Sequence, residues 1–274
     1  MRFIQHKAEA YWFYRVVSLG YDRWINPLFW TEAMRDDALA LAVLDRPDLT
    51  VADVGAGTGF TTEGIVAAVA TERVTMIDQS PHQLARARRK PALARAEKRL
   101  GDAEALPLPT DSVDRYVSAG SIEYWPDPQR AIAEAYRVVR PGGVALVIGP
   151  LRRTHPLARR LSDAWMLFPA EAEYTVWMEA AGFTDLRAVT VAPPWWRAGW
   201  DAYGLAIAGT KPAAGPSPLE LPPPREHVRE RLGPARLARF AAGSLAGAAF
   251  IPVALWFTLR QRLGRPMSSR RARR

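Results

Sequence analysis

The chain has 274 residues, 49% of them hydrophobic, and no cysteine. That length allows one large domain or a domain with an appendage, and the apolar content is enough for a sizeable core. The absence of cysteine excludes disulfides, a thiol nucleophile and cysteine-ligated metal or iron–sulfur sites. The four histidines, His6, His82, His155 and His227, are scattered without the close spacing of a histidine metal site. The net charge is +9, but the 12 arginines against two glutamates of residues 225–274 account for all of it. The remainder of the chain is near neutral, so basicity is a property of the tail and nucleic acid is a weak candidate partner.

The first 30 residues are crowded with aromatics, among them Tyr11, Trp12, Tyr14, Tyr21, Trp24 and Trp30. Charged residues interrupt every apolar run, so neither a signal peptide, a spanning segment nor a Ser/Arg-rich transit segment is expected there. The spacing predicts helices on either side of Pro27, a helical segment over 1–48. From residue 49 strand and helix patterns alternate. LTVADV reads as a strand, followed by a glycine-rich turn and a helix to about Ala70. RVTMID is the next strand, and Ser80-Pro81 opens a helix with serine as N-cap and proline at the first helical position. A short strand near KRLG and another at VDRYVSA follow. Asp127–Val139 is an amphipathic helix, with Arg140-Pro141-Gly142-Gly143 as its stop signal. VALVIG is a strand, Glu171–Ala181 a helix closed by Gly182, and TDLRAVTV and DAYGLAIAG are two more strands. Repeated βα units over 49–210 imply a mostly parallel α/β sheet with helices on both faces. Residues 211–236 read as a proline- and arginine-rich linker. Within 237–274, Phe240–Leu259 is 20 residues without a charge, long enough as a helix to cross a hydrocarbon core.

VADVGAGTGF (51–60) is the sharpest local motif. Asp53 lies at a strand end, and Gly55, Ala56, Gly57 and Gly59 form the turn into a helix whose free N–H groups face a ligand. The GxGxG spacing departs from the GxGxxG of dinucleotide sites. Asp78 lies near the usual distance for a ribose-binding acid. Asp102 follows the third strand and is placed to accept from an adenine amino group. Three acids at successive strand ends suit a nucleoside carrying positive charge and suit a pyrophosphate poorly.

Together, GxGxG after an acidic strand end, Asp78, GDAEALP and the RPGG turn resemble the class I S-adenosylmethionine-dependent methyltransferases. That resemblance implies a Rossmann-like seven-stranded sheet, here with an N-terminal helical cap and a C-terminal hydrophobic helix. It implies S-adenosylmethionine as cofactor, held by Asp53, Gly55, Ala56, Gly57, Gly59, Asp78, Gln79, Asp102, Ala103, Ser118, Ala119 and Gly120. RFIQHKAEAYWFYR, INPLFWTEAMRDDAL, DQSPHQLARA, DRYVSAGSIEYWPDPQRAIAEAYRV and DAWMLFP resemble a narrower family. It is the 2-methyl-6-phytyl (or solanesyl) benzoquinol methyltransferases of tocopherol and plastoquinone synthesis. The resemblance implies ring C-methylation of a prenylated quinol, without a metal. Other readings are methylation of a menaquinol or ubiquinol precursor, a sterol or a phospholipid, or a non-catalytic membrane-docked module that only binds S-adenosylmethionine.

A ring hydroxyl must be ionised or share its proton for the ring carbon to attack the methyl group. The loop SAGSIEYWPDP offers Glu123 as base and Tyr124 as hydrogen-bond donor; the alternative is a structural carboxylate and a packing aromatic. His6 is the rival base. Tyr11, Trp12, Tyr14 and Tyr21 are either core or an apolar mouth for a prenyl tail, and Trp125 of the same loop as Glu123 is expected to contact substrate. The 240–259 segment and the arginine tail imply membrane association with the catalytic domain on the cytoplasmic side, at the plastid inner envelope in a photosynthetic eukaryote. A single span would place the terminal arginines on the far side, against the positive-inside tendency, whereas a helix kinked at Pro252 would keep both ends on the near side.

Overall fold

The computed structural model describes residues 26–197, 199–222 and scattered helical positions from Ala238 to Arg260. The expectations for residues 1–25, and most of those for 237–274, lie outside the described residues.

Seven strands form one sheet in the order β3-β2-β1-β4-β5-β7-β6. They are β1 Val51–Val54, β2 Val74–Asp78, β3 Glu97–Leu100, β4 Val113–Ala119, β5 Val139–Pro150, β6 Thr184–Val191 and β7 Gly204–Thr210. All pairings are parallel except those of β7, which runs antiparallel to both of its neighbours. β1 and β7 read as nearly continuous apolar runs, VADV and GLAIAGT, because both of their faces are covered. The helices are α1 Asn26–Phe29, α2 Glu32–Leu39, α3 Phe60–Ile65, α4 Pro81–Ala87, α5 Pro128–Val138, α6 Pro156–Trp165 and α7 Glu171–Ala181. Two apolar clusters result, one on each side of the sheet. One joins Ile132, Ala135 and Tyr136 of α5 with Tyr174 and Met178 of α7. The other joins Met34, Ala38 and Leu39 of α2 with Ile65 and Leu84.

The Ser80 cap falls where the sequence places it, and Asp127, expected as the first residue of its helix, caps it instead. Ser80 Oγ accepts from the Gln83 N–H at 3.4 Å with Pro81 at the first turn of α4, and Asp127 Oδ1 accepts from the Arg130 N–H at 3.1 Å above α5. Gly182 ends α7 at φ +102. Three elements differ from expectation. α3 stops at Ile65 instead of about Ala70, and the Ala70 N–H bonds to Pro47 O at 2.9 Å, which turns the chain toward β2. The RPGG stretch does stop α5, but it then forms the bulged beginning of β5: the register jumps between Val113↔Val139 and Arg115↔Val144. Gly143 is needed there, since a Cβ would lie 2.7 Å from Asp114 O. α6, to which the sequence reading assigned no element, occupies 156–165 with Leu157 and Leu161 turned outward.

The start of the proline-rich segment is tied to the domain. Lys211 is completely buried, its Nζ donating to Asp111 Oδ1 at 2.5 Å and to Gly215 O at 2.7 Å, over the Tyr136 ring at 4.6 Å. Ser217 Oγ donates to Ala181 O at 2.9 Å. The Lys211 hydrogen bond, with the Gly215 N–H, holds the Asp111 carboxyl below its ordinary range. A carboxyl lowered in the folded state contributes stability above its unfolded pKa and loses it as pH falls through the folded value. Lys211→Met is therefore expected to cost about 1–2 kcal/mol at pH 7 after screening at the partly exposed Asp111. The deficit should shrink in acid below the folded pKa, as read by urea titrations at both pH values.

Candidate active site

The parallel strands deliver their loops to one edge of the sheet, where ligands of open α/β folds bind. After β1 the chain turns sharply. The Gly55 and Ala56 N–H groups both donate to Ile77 O, at 2.8 and 3.1 Å, which ties the turn to β2. Gly55 adopts φ +71, and a Cβ there would lie 2.4 Å from Ser121 Cβ, so only glycine fits beneath the β4 loop. Gly57 adopts φ +55 with open space around it, and its N–H donates to Asp78 Oδ2 at 2.8 Å. Gly59, at φ +87, directly precedes α3. α2 lies over this helix: Arg35 donates to Phe60 O at 3.2 Å and stacks on the Phe60 ring.

Asp53 is buried. Thr62 Oγ1 donates to its Oδ2 at 2.5 Å, while Oδ1 has no partner among the described residues. Burial pushes this carboxyl up to about 7, the Thr62 hydrogen bond opposing and the Asp78 charge adding. A buried carboxylate oxygen without a donor costs free energy until a donor or cation arrives. Asp78 Oδ1 accepts from the Ser80 N–H and Oδ2 from the Gly57 N–H, both at 2.8 Å. Burial raises its pKa against these two bonds. Asp78 thus braces the glycine turn against α4 and keeps lone pairs free for a hydroxyl. Gln79 is exposed beside it. Asp102 Oδ1 caps its own loop by accepting from the Glu104 N–H at 2.9 Å, with Ala103 between them.

After β4, Ser118 is buried with its Oγ 2.7 Å from Ser121 Oγ. Ala119 is half-buried, and Gly120, at φ +63, donates its N–H to Ile148 O at 3.0 Å. The chain then makes one 3-10 turn, Ile122–Tyr124. Glu123 Oε2 is buried with no partner among the described residues, and burial pushes the carboxyl up to about 7. Burial raises the pKa of the Tyr174 hydroxyl on α7, and the Glu123 charge adds to it. Tyr124 is half-buried in the same turn. Trp125 is buried in the cluster of Ile122, Leu151 and Leu106, so its indole is largely enclosed by protein. His6, Tyr11, Trp12, Tyr14 and Tyr21 lie outside the described residues.

Two contributors were not singled out from sequence. Glu104 accepts from the Asp127 N–H at 3.0 Å, which joins the β3 loop to the cap of α5. Trp195, Trp196, Trp200 and Tyr203 lie between β6 and β7, at the same edge, and form edge-to-face ring contacts. Neither carries a periodic signal: the first is one acid in a loop, and the second depends on a reversed strand. Among the described residues no group of His, Asp or Glu could hold a metal ion.

Residues 52–147 match the family described as a methyltransferase domain. The chain is 55% identical over 263 residues to the chloroplastic 2-methyl-6-phytyl-1,4-hydroquinone methyltransferase of Arabidopsis thaliana, covering 93% of this chain and 78% of that protein. It belongs to this methyltransferase family. A chloroplastic relative from Oryza sativa subsp. japonica, carrying the same name with the number 1, is 52% identical over 93% of this chain and 79% of its own length. Among solved structures, a chain in the complex of the Haloferax volcanii Trm112 methyltransferase activator with a methyltransferase superposes with a TM-score of 0.59 at 22% identity. It covers 77% of this chain and 100% of that one, and it shows the fold alone. The family's cofactor is S-adenosylmethionine, and the glycine cradle with the orphaned Asp53 oxygen fits a cationic nucleoside.

Proposed function

We propose that this protein methylates a ring carbon of a 2-methyl-6-prenyl-1,4-benzoquinol. The observation that carries this is the 55% identity across 93% of the chain to a methyltransferase named for that quinol. S-adenosylmethionine supplies an electrophilic methyl on sulfur. Asp53, the turn Gly55–Gly59, Asp78 with Gln79, Asp102 with Ala103, and Ser118–Gly120 hold it at the sheet edge. Glu123, whose carboxyl burial makes a stronger base, takes the quinol hydroxyl proton as the ring carbon forms its new bond, and Tyr124 donates to the ring oxygen. The sulfur–methyl bond breaks as the carbon–carbon bond forms, leaving the neutral thioether; the ring carbon then gives its hydrogen to solvent as a proton, Glu123 returns its proton to the ring oxygen, and aromaticity is regained. Raising the base's pKa toward neutrality is how an active site makes a carboxylate useful for proton transfer.

The test is transfer of labelled methyl to a panel of reduced acceptors: 2-methyl-6-phytyl and 2-methyl-6-solanesyl benzoquinol, demethylmenaquinol and a sterol. Label on the first two alone fits the proposal; label only on demethylmenaquinol or sterol overturns the substrate. Cofactor affinity gives a separate check. A cationic ligand requires Asp53 ionised, so S-adenosylhomocysteine, which keeps the ammonium, should bind more tightly as pH rises through about 7. Asp53→Asn should weaken binding about tenfold or more at pH 8 and flatten that dependence, measured by calorimetry.

The substrate is a membrane lipid, and we propose that residues 240–259 with the arginine tail hold the protein at a membrane, with the catalytic domain on the cytoplasmic or stromal side. The chloroplastic location of the relatives supports a plastid setting. No helix among the described residues is long and apolar enough to cross a membrane.

A further inference from the structure

α6 presents an unusual face. Leu157 is 63% and Leu161 49% exposed, four residues apart and hence side by side on one face of the helix. Arg160 is exposed and flanks that face, whereas Arg159, two positions from each leucine, is exposed on the opposite side of the helix. A helix that serves only to cover a core turns its leucines inward.

The neighbouring loop extends the same surface. The Thr154 N–H donates to Asp201 Oδ2 at 2.7 Å, and Thr154 Oγ1 donates to the other carboxylate oxygen. Arg153 donates to Ala202 O at 3.2 Å and Tyr203 O at 2.6 Å, and stacks on Trp196 at 4.9 Å. These bonds fasten the 192–203 loop to the residues immediately before α6. Trp200, 42% exposed, stands next to that junction, with the Arg197 guanidinium 5.8 Å above its ring.

We propose that α6 and the 192–203 loop dock the catalytic domain flat on an anionic bilayer surface. The apolar groups Leu157, Leu161 and Trp200 enter the boundary between headgroups and acyl chains. Arg160 and Arg197 meet anionic headgroups. Leucines flanked by an arginine on a short helix, with an indole and a second arginine beside them, have the composition of an interfacial contact. The neighbouring acids do not oppose this: Asp163 lies on the far side of α6, where it pairs with Arg159 at 3.6 Å, and the Asp201 oxygens are turned toward Thr154. α6 follows the end of β5, and 192–203 joins the end of β6 to the start of β7, so the docked surface borders the edge that carries Asp53, Asp78 and Glu123. A prenyl quinol could then pass from the leaflet to that edge without crossing water. This rests on the reading of the substrate as a lipid-borne quinol, and it is independent of residues 240–259.

The test uses the full chain and the triple variant Leu157→Ser/Leu161→Ser/Trp200→Ser, with S-adenosylhomocysteine binding as the check of fold. Turnover is measured on phytyl quinol in phosphatidylglycerol/phosphatidylcholine vesicles and on a short-chain quinol in solution. We expect kcat/KM on the vesicle-borne quinol to fall about tenfold while the soluble quinol changes less than about twofold. Arg160→Gln/Arg197→Gln should lose only the dependence of turnover on phosphatidylglycerol content. Equal loss on both quinols, or none on either, overturns the docking face. Loss of a solution dimer with unchanged vesicle turnover also overturns it and makes the face a contact between copies. Trp200 reports without any quinol: the emission difference between wild type and Trp200→Phe should be quenched by brominated phosphatidylglycerol. Quenching in a protein that methylates no quinol would keep the docking face and discard the substrate, and unquenched Trp200 in an active enzyme would do the reverse.

Discussion

Glu123→Gln is expected to lower kcat on the prenylated quinol by about 10²–10⁴-fold, the usual worth of a positioned general base. Glutamine keeps the shape of the side chain and cannot take the proton. S-adenosylhomocysteine affinity should stay within about twofold, because Glu123 lies in the loop proposed to face the quinol and its Oε2 has no hydrogen-bond partner among the described residues. The pH profile adds a second reading. Burial raises this carboxyl to about 7, so the ionised, proton-accepting form grows as pH rises through that value. Wild-type turnover at saturating cofactor should therefore climb across that range, and the residual turnover of Glu123→Gln should not. Saturating cofactor matters because Asp53 also titrates near 7 and would otherwise place its own limb in the profile. A variant retaining nearly full turnover with the same acidic limb would remove Glu123 from the chemistry.

Tyr174 accounts for part of how Glu123 is held. Its hydroxyl donates to Pro150 O at 3.0 Å, and a Cβ on Gly149 would lie 2.4 Å from that hydroxyl. The ring thus fills the space beside Ile122 where a larger residue in β5 would push. The Leu167 N–H donates to Glu123 O at 3.2 Å, so the segment after α6 fixes the backbone of the same residue. Desolvation of the carboxylate is a consequence of this packing, and it stays a cost of the fold until a donor reaches it, which the proposal assigns to the quinol hydroxyl.

The glycine turn, the acids at the ends of β1 and β2, and the caps of α4 and α5 were legible because each is local. Ser80-Pro81 and Asp127-Pro128 state a helix start in two residues, and GxGxG states a backbone that must pass close to something. What it passes was not legible. Ser121 lies 66 residues beyond Gly55 in the chain, and only the pairing of β1 with β4 brings them together. The role of Asp78 was half legible: the sequence placed it for a ribose but gave no sign that its two oxygens also brace Gly57 and Ser80. Lys211 illustrates a different failure. Its segment, KPAAGPSPLELPPP, has linker composition, yet the lysine is the most enclosed cation described, because Asp111 and Gly215 converge on it from distant parts of the chain. α6 was missed since its apolar spacing faces outward, where core periodicity gives no guide.

Gly55→Ala should be the most damaging single change to cofactor binding. The added methyl would lie 2.4 Å from Ser121 Cβ and 2.6 Å from its Oγ, and the residue would keep a left-handed φ of +71. The left-handed conformation alone costs a non-glycine residue about 1–2 kcal/mol, and overpacking adds roughly 1–3 kcal/mol. The turn cannot relax freely, because the Gly55 and Ala56 N–H groups are both committed to Ile77 O. Movement instead passes to Gly57 and, through its N–H, to Asp78, which loosens the side of the cradle assigned to the ribose. We expect S-adenosylhomocysteine affinity to fall about 100-fold and urea stability to fall by about 2–4 kcal/mol. Ser121→Gly in the same chain removes the steric part and leaves the φ strain. The double variant should recover about half of the lost stability, though not full affinity, since the Ser118–Ser121 hydrogen bond is lost with it. If Gly55→Ala alone bound the cofactor as the wild type does, the β4 loop would not be packed on the turn in the way described. If Ser121→Gly restored nothing, the damage would come from the backbone angle and not from the contact.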